Sequence, residues 1–132
     1  MKKKYVWLTA AIVYCIAIFI TTASPASTGG NTLMIIADFF HLSEDQARMA
    51  NLIFRKLVHL SAFGVLAILF YNSFEKHRFI QAWIYTTIYA ASDEIHQAFI
   101  PDRTGSIVDV GIDSIGALIA LCIIKMATHR RR

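Results

Sequence analysis

The chain has 132 residues, of which 56% are hydrophobic and 17% charged. A soluble domain averages about 45–50% apolar and about 25% charged, so the surplus points to a membrane rather than to a large soluble core. The length leaves room for one domain, residues 1–132, and the composition excludes disorder, collagen-like repeats and a disulfide scaffold. Cys15 and Cys122 both sit in apolar stretches, so neither a bridge nor a redox motif is expected. The formal charge of +4 does not indicate nucleic acid, because the basic residues lie at the chain ends and between apolar runs.

Crossing about 30 Å of hydrocarbon takes roughly 20 helical residues. The first candidate span, residues 5–23, is uncharged and follows Lys2-Lys3-Lys4. A secretory signal peptide is the rival reading, but the apolar stretch exceeds the usual 7–15 or so residues, so a retained span is expected. The second span is expected over residues 57–74. The third is expected over 79–99, stopped by Ile100-Pro101. The fourth covers 107–127 and contains Asp109, Asp113 and Lys125. Between the first two spans, residues 24–31 (SPASTGGN) read as loop. Residues 32–41 place Leu33, Ile36, Ala37 and Phe40 at helical spacing, which fits a short amphipathic helix on the outer surface. An apolar loop packed on the bundle fits equally. Ser43 with Gln46 resembles a capping box, so a helix starts there and leads into the second span.

Cytoplasmic loops are enriched in Lys and Arg. With the N-terminus inside, the inner segments hold Lys2, Lys3, Lys4, Lys76, Arg78, Lys125, Arg130, Arg131 and Arg132, against Arg48, Arg55, Lys56 and Arg103 outside. Both termini are therefore expected in the cytoplasm. The fold class is all-α, a four-helix transmembrane bundle.

The acidic residues are segregated more sharply. Only Glu75 falls inside; Asp38, Glu44, Asp45, Asp93, Glu94, Asp102, Asp109 and Asp113 belong to the outer half. Charge at mid-bilayer costs about 2.5–3.5 kcal/mol on insertion scales, so such groups face the bundle or a wet cavity. On the fourth span Ser106, Asp109, Asp113, Gly116 and Ala120 form one polar-to-small stripe that should face neighbouring helices. On the third, Ala90, Glu94 and Gln97 share a face with Asp93 flanking. On the second, Arg55, His59 and Ala62 share a face with Lys56 adjacent. These groups converge at one depth, with the turn carrying Arg103 above them.

Three uses fit such a site. Arg55, Lys56 and Arg103 can hold a phosphate or carboxylate while His59 and Glu94 handle protons. Glu94, His96, Asp109 and Asp113 can hold a divalent cation, although the spacing of H-E-x-x-H zinc enzymes is absent. A proton relay through the carboxylates and His59 is a third use, without inverted repeats or a broken helix to favour it. The structural alternative is adhesion, with Lys56–Glu94 or Arg103–Asp109 as interhelical ion pairs. Polar contacts between membrane helices average only about 0.6 kcal/mol, which is weak adhesion for so many buried charges. His96 alone fits an interface position, and Trp83, Tyr85 and Tyr89 fit packing. No Gly-rich phosphate loop, G-x-S-x-G elbow or Cys/His nucleophile pattern is present.

The run Ser92-Asp93-Glu94-Ile95-His96-Gln97-Ala98-Phe99-Ile100-Pro101-Asp102-Arg103, followed by Ser106-x-x-Asp109 and Ser114-Ile115-Gly116-Ala117, resembles the VanZ-like membrane protein family. Lys56-Leu57-Val58-His59 resembles that family's Lys-x-x-His at the head of a spanning helix. The resemblance covers about residues 55–120. It implies a small multi-pass protein of the bacterial cytoplasmic membrane, whose namesake is associated with resistance to teicoplanin more than to vancomycin. Teicoplanin is a glycopeptide with a lipid tail. The functional residues it carries over are Lys56, His59, Glu94, Gln97, Arg103, Ser106 and Asp109. Arg55 stands where an acidic or amide residue is common, Asp102 replaces a frequent Gly, and Asp113 a frequent Asn.

Together these readings set His59, Glu94 and Asp109 as candidate catalytic residues. Arg55, Lys56, Gln97, Arg103, Ser106 and Asp113 are the candidate ligand-binding residues. The expected partners are membrane lipid and a lipoglycopeptide or lipid-linked wall precursor. No nucleic acid and no cofactor are expected, and a bound metal is left open. The expected function is lowered teicoplanin susceptibility through an outward-facing polar site. The alternatives are an enzyme acting on a lipid-linked phosphate and a structural partner in a membrane complex.

Overall fold

The computed structural model describes residues 2–24, 29–101 and 105–130. Among them are five helices and no strand: α1 (Lys2–Ala23), α2 (Gly29–Phe40), α3 (Glu44–Ser73), α4 (Arg78–Gln97) and α5 (Ile107–His129). The chain is thus all-helical, as its periodicity predicts. Helices α1, α3 and α5 are long and apolar enough to cross a membrane. Helix α4 is outside that group because its 20 residues include Arg78, Asp93, Glu94, His96 and Gln97. It nevertheless packs on α1, α3 and α5.

Helix α3 is the hub, touching all four other helices. It is continuous from Glu44, as the capping signal at Ser43 predicts, and the Ser43 backbone N–H donates to Gln46 Oε1 at 3.1 Å. At 1.5 Å per residue its 30 residues are about 45 Å long. That exceeds the hydrocarbon thickness of about 30 Å, so its first turns can stand clear of the bilayer. Helix α4 ends two residues before the expected 99. There, Phe99 and Ile100 donate to the carbonyls of His96 and Gln97 at 3.1 and 3.0 Å, tightening the last turn ahead of Pro101.

The amphipathic segment is a helix, α2, and it begins three residues earlier than expected. Gly29, Gly30 and Asn31 form its first turn rather than loop. The reason is tertiary: the Gly29 carbonyl accepts from Asn51 Nδ2 at 2.9 Å and from Thr32 Oγ1 at 3.2 Å. Helix α2 packs on α3 and buries no residue fully.

The packing is that of a soluble protein turned inside out. Ala11, Ala47, Ala67, Ala82, Ala90 and Ala117 are fully buried, whereas Ile12, Ile16, Ile20, Ile84, Ile88, Ile119 and Ile123 are exposed. Lipid tails solvate large apolar side chains as well as a core does, so close backbone approach selects small residues between helices. Two larger clusters complete the interior. Ile18, Phe63 and Leu66 join α1 to α3, and Leu121 packs with Ala67, Ala82 and Ala117.

The tightest crossing is between α3 and α5. A Cβ at Gly116 would run into the Leu60 carbonyl oxygen and lie 2.9 Å from Leu60 Cγ, and one at Gly64 would lie 3.3 Å from Ala120 Cβ. The polar-to-small stripe of α5 therefore faces α3.

Charge is sorted to the two ends. Lys4 pairs with Glu75 at 3.0 Å, tying the start of α1 to the α3–α4 turn, and Lys125 lies 5.5 Å from the Phe79 ring centre at that same end. The acidic residues of α4 and α5 gather at the opposite end.

Candidate functional site

At the acidic end, α3, α4 and α5 enclose a cavity of about 610 Å³, roofed by Gly29, Gly30 and Leu33 of α2. Arg55, Lys56, His59, Glu94, Gln97 and Asp109 all line it. Each reaches it for the reason visible in sequence: positions 55 and 59, 94 and 97, and 109 and 113 recur at helical spacing.

Within the cavity the charges are partly matched. Lys56 Nζ forms an ion pair with Asp109, both half-buried. This is neither of the pairings the adhesion reading predicts, since Lys56 meets Asp109 rather than Glu94. Arg103, its other proposed partner, and Asp102 lie outside the described residues. Below the ion pair, His59 Nδ1 stands 3.5 Å from Asp113 Oδ2. Arg55 is half-buried at the cavity wall and makes no hydrogen bond or ion pair with another described residue. Its guanidinium lies over Gly29, where an added Cβ would come within 2.7 Å of Nη1.

The carboxylates are deeply placed: Asp93, Glu94 and Asp113 are 2%, 5% and 0% exposed. Burying such a group is costly unless it is paired and hydrogen-bonded. Asp93 accepts from Thr22 Oγ1 and from Gln97 Nε2, each at 2.9 Å, which ties α1 to α4. Glu94 Oε2 accepts the Ser106 backbone N–H at 2.9 Å. Gly105 makes that bond reachable, since a Cβ there would strike the Glu94 carbonyl oxygen. Asp113 is different. Among the described residues only the long contact to His59 serves it, and its buried Oδ1 has no hydrogen-bond partner.

The structure thus gathers Arg55, Lys56, His59, Glu94, Gln97 and Asp109 around one space, with Asp113 beneath His59. Ser106 does not line the cavity. Its N–H holds Glu94, and its hydroxyl caps α5 by accepting the Val108 N–H at 3.2 Å. Among the described residues, His59, Glu94 and Asp113 each offer a ligand atom within 4.8 Å of the others.

A family profile for VanZ/LLP1 matches residues 7–128. The chain belongs to the VanZ/LLP1 family. The match covers nearly the whole chain, so α2 and most of α1 are part of this VanZ/LLP1 unit together with the motif-bearing helices. Comparisons with curated proteins and with solved structures find no match.

Two expectations change. His96 does not join the carboxylates of this VanZ/LLP1 chain. Its ring stacks on Phe19 of α1 with centroids 3.9 Å apart. His59 takes its place in the cation reading, and Asp109, paired with Lys56, also falls outside the group of described residues that could hold an ion. The sequence reading also passed over Thr22, Asn51 and the full burial of Asp93. Asn51 was readable, because residues 51, 55 and 59 repeat at four-residue steps and form one stripe with Arg55 and His59. Thr22 carried only the weak signal of a hydroxyl near the end of an apolar span.

Proposed function

We propose that this VanZ/LLP1 membrane protein presents its polar cavity to the outer leaflet, where it receives the anionic group of a membrane-bound amphiphile. The observation that carries this is Arg55, a half-buried guanidinium at the cavity wall with no partner among the described residues. A desolvated cation without a counter-ion is costly, and Arg is suited to bidentate capture of phosphate or carboxylate. Lys56 is already held by Asp109, so among the described residues Arg55 is the cavity cation available to a ligand.

A cavity near 610 Å³ falls in the range of small-molecule sites and takes a headgroup rather than a whole glycopeptide. The ligand is accordingly a lipid-linked wall precursor, gripped at its phosphate, or the acidic portion of lipid-anchored teicoplanin. Reduced teicoplanin susceptibility follows from either. The excess of Lys and Arg at the Lys4–Glu75 end supports placing that end in the cytoplasm, both termini with it, and the cavity outside.

The test is binding of teicoplanin and of a short-chain polyprenyl diphosphate to the full chain in nanodiscs. Hydrogen bonds to a charged group contribute about 1.5–3 kcal/mol, so Arg55→Ala should weaken binding by about 10- to 100-fold. Unchanged binding of both ligands by Arg55→Ala would overturn the reading.

A second reading is favoured by the proximity of His59 and Glu94. In it, the two act as base and acid on the lipid-linked phosphate. It predicts that Glu94→Gln abolishes turnover of the diphosphate while leaving its binding intact.

A further inference from the structure

We propose that His59, Glu94 and Asp113 form a divalent metal site of the zinc class at the floor of the cavity. Three helices supply one donor each, an imidazole nitrogen and two carboxylate oxygens, all within 4.8 Å of one another. A simple hydrogen bond between His59 and Asp113 leaves a misfit in distance. His59 Nδ1 and Asp113 Oδ2 are 3.5 Å apart, too long for a strong hydrogen bond. Zinc–nitrogen and zinc–oxygen bonds of about 2.0–2.2 Å place neighbouring ligands of a tetrahedron about 3.4 Å apart. The observed 3.5 Å is close to such a ligand–ligand edge, and the remaining donor pairs lie within 4.8 Å.

The orphaned Oδ1 of Asp113 is the second, independent observation. Asp113 is 0% exposed, and among the described residues this oxygen has no hydrogen-bond partner. Buried polar atoms without partners are rare in folded proteins and mark an ion or a functional role. The neighbouring groups do not supply what is missing. Lys56 is engaged by Asp109, and Asp93, itself a carboxylate acceptor, has no proton to give. Two carboxylates and a neutral imidazole balance the charge of a divalent cation. The mixed nitrogen and oxygen donors favour zinc or a similar transition ion over magnesium or calcium.

Glu94 is held for this task from outside the set. The Ser106 backbone N–H at 2.9 Å fixes one carboxylate oxygen, as the outer partners of metal ligands commonly do. Because His59 and Glu94 line the same cavity as Arg55, an ion held by them would be reachable from that space. Metal and guanidinium would then face the same anionic group. The inference extends the reading of the cavity as a functional site, but its test is separate: metal uptake can fail while Arg55→Ala still weakens ligand binding, and the reverse also holds.

The experiment uses the full-length chain purified in detergent, stripped with chelator, and titrated with Co²⁺ and Zn²⁺. Wild type should take up one ion per chain, with visible Co²⁺ bands of a low-coordinate nitrogen and oxygen site that Zn²⁺ displaces. His59→Gln and Asp113→Asn should each weaken uptake by more than about 100-fold, the upper end for loss of even an outer partner. His77→Ala, altering an exposed histidine at the other end of the bundle, should bind as wild type does. Wild type that shows no stoichiometric uptake would overturn the site, and this result needs no variant to fold. Retention of wild-type uptake by both ligand variants would overturn it equally.

Discussion

The α3–α5 crossing offers the sharpest test of the packing argument, through two glycines that look alike in sequence. At Gly116 an added methyl strikes the Leu60 carbonyl oxygen and sits 3.0 Å from that carbonyl carbon, so the obstacle is backbone. At Gly64 the nearest atoms are Ala120 Cβ at 3.3 Å and the Gly116 carbonyl oxygen at 3.4 Å, which a few tenths of an ångström relieve. Overpacking a tight interface costs about 1–3 kcal/mol. Replacing glycine by alanine returns up to about 1 kcal/mol of helix propensity. Gly64→Ala should therefore be neutral within about 0.5 kcal/mol. Gly116→Ala should destabilise by about 2 kcal/mol, roughly 30-fold in the folding equilibrium.

The assay is unfolding by SDS in mixed micelles, followed by fluorescence in a Trp7→Phe background. The remaining Trp83 donates from Nε1 to Ser114 Oγ at 3.0 Å across the α4–α5 contact, so it reports on α5 directly. If Gly116→Ala proves as stable as Gly64→Ala, the close approach of α3 and α5 is refuted.

The same assay tests the ion pair: Lys56→Met should cost roughly 1–3 kcal/mol by leaving Asp109 unpaired, and Lys56→Met/Asp109→Leu should recover most of it. Gly105→Ala should displace Ser106 from Glu94 and weaken the site with little loss of stability, since the clash is with the Glu94 carbonyl at a turn; ligand or metal binding by the purified variant checks this. In a background without Cys15 and Cys122, an impermeant maleimide should label Asp45→Cys in intact cells and Glu75→Cys only after permeabilisation, and the reverse pattern would invert the topology.

Much of this arrangement was legible in the residues. The stripe of Asp109, Asp113, Gly116 and Ala120 gave the polar face of α5 and turned it toward neighbouring helices, while that the neighbour is α3 came from the structure. Segregation of acidic residues to one end announced the site, since buried carboxylates need a shared environment. Partner choice was not legible. Lys56 lies within reach of two carboxylates, and only the rotation of α3 against α5 decides for Asp109. His96 misled for the same reason: two residues beyond Glu94, it points across the helix to Phe19. The start of α2 was hidden because Gly29 and Gly30 carry a loop signal, and the Asn51 amide that offsets it comes from 22 residues away.

The central claim is that the cavity around Arg55 and Glu94 is a functional site rather than helix adhesive. Teicoplanin and vancomycin susceptibility, measured in cells producing wild type, Arg55→Ala or Glu94→Gln with membrane protein levels quantified, tests it most directly. Wild type should protect selectively against teicoplanin, and both variants should lose that protection at equal protein level. Variants that protect as well as wild type, or that lose protection only because they vanish from the membrane, would contradict it.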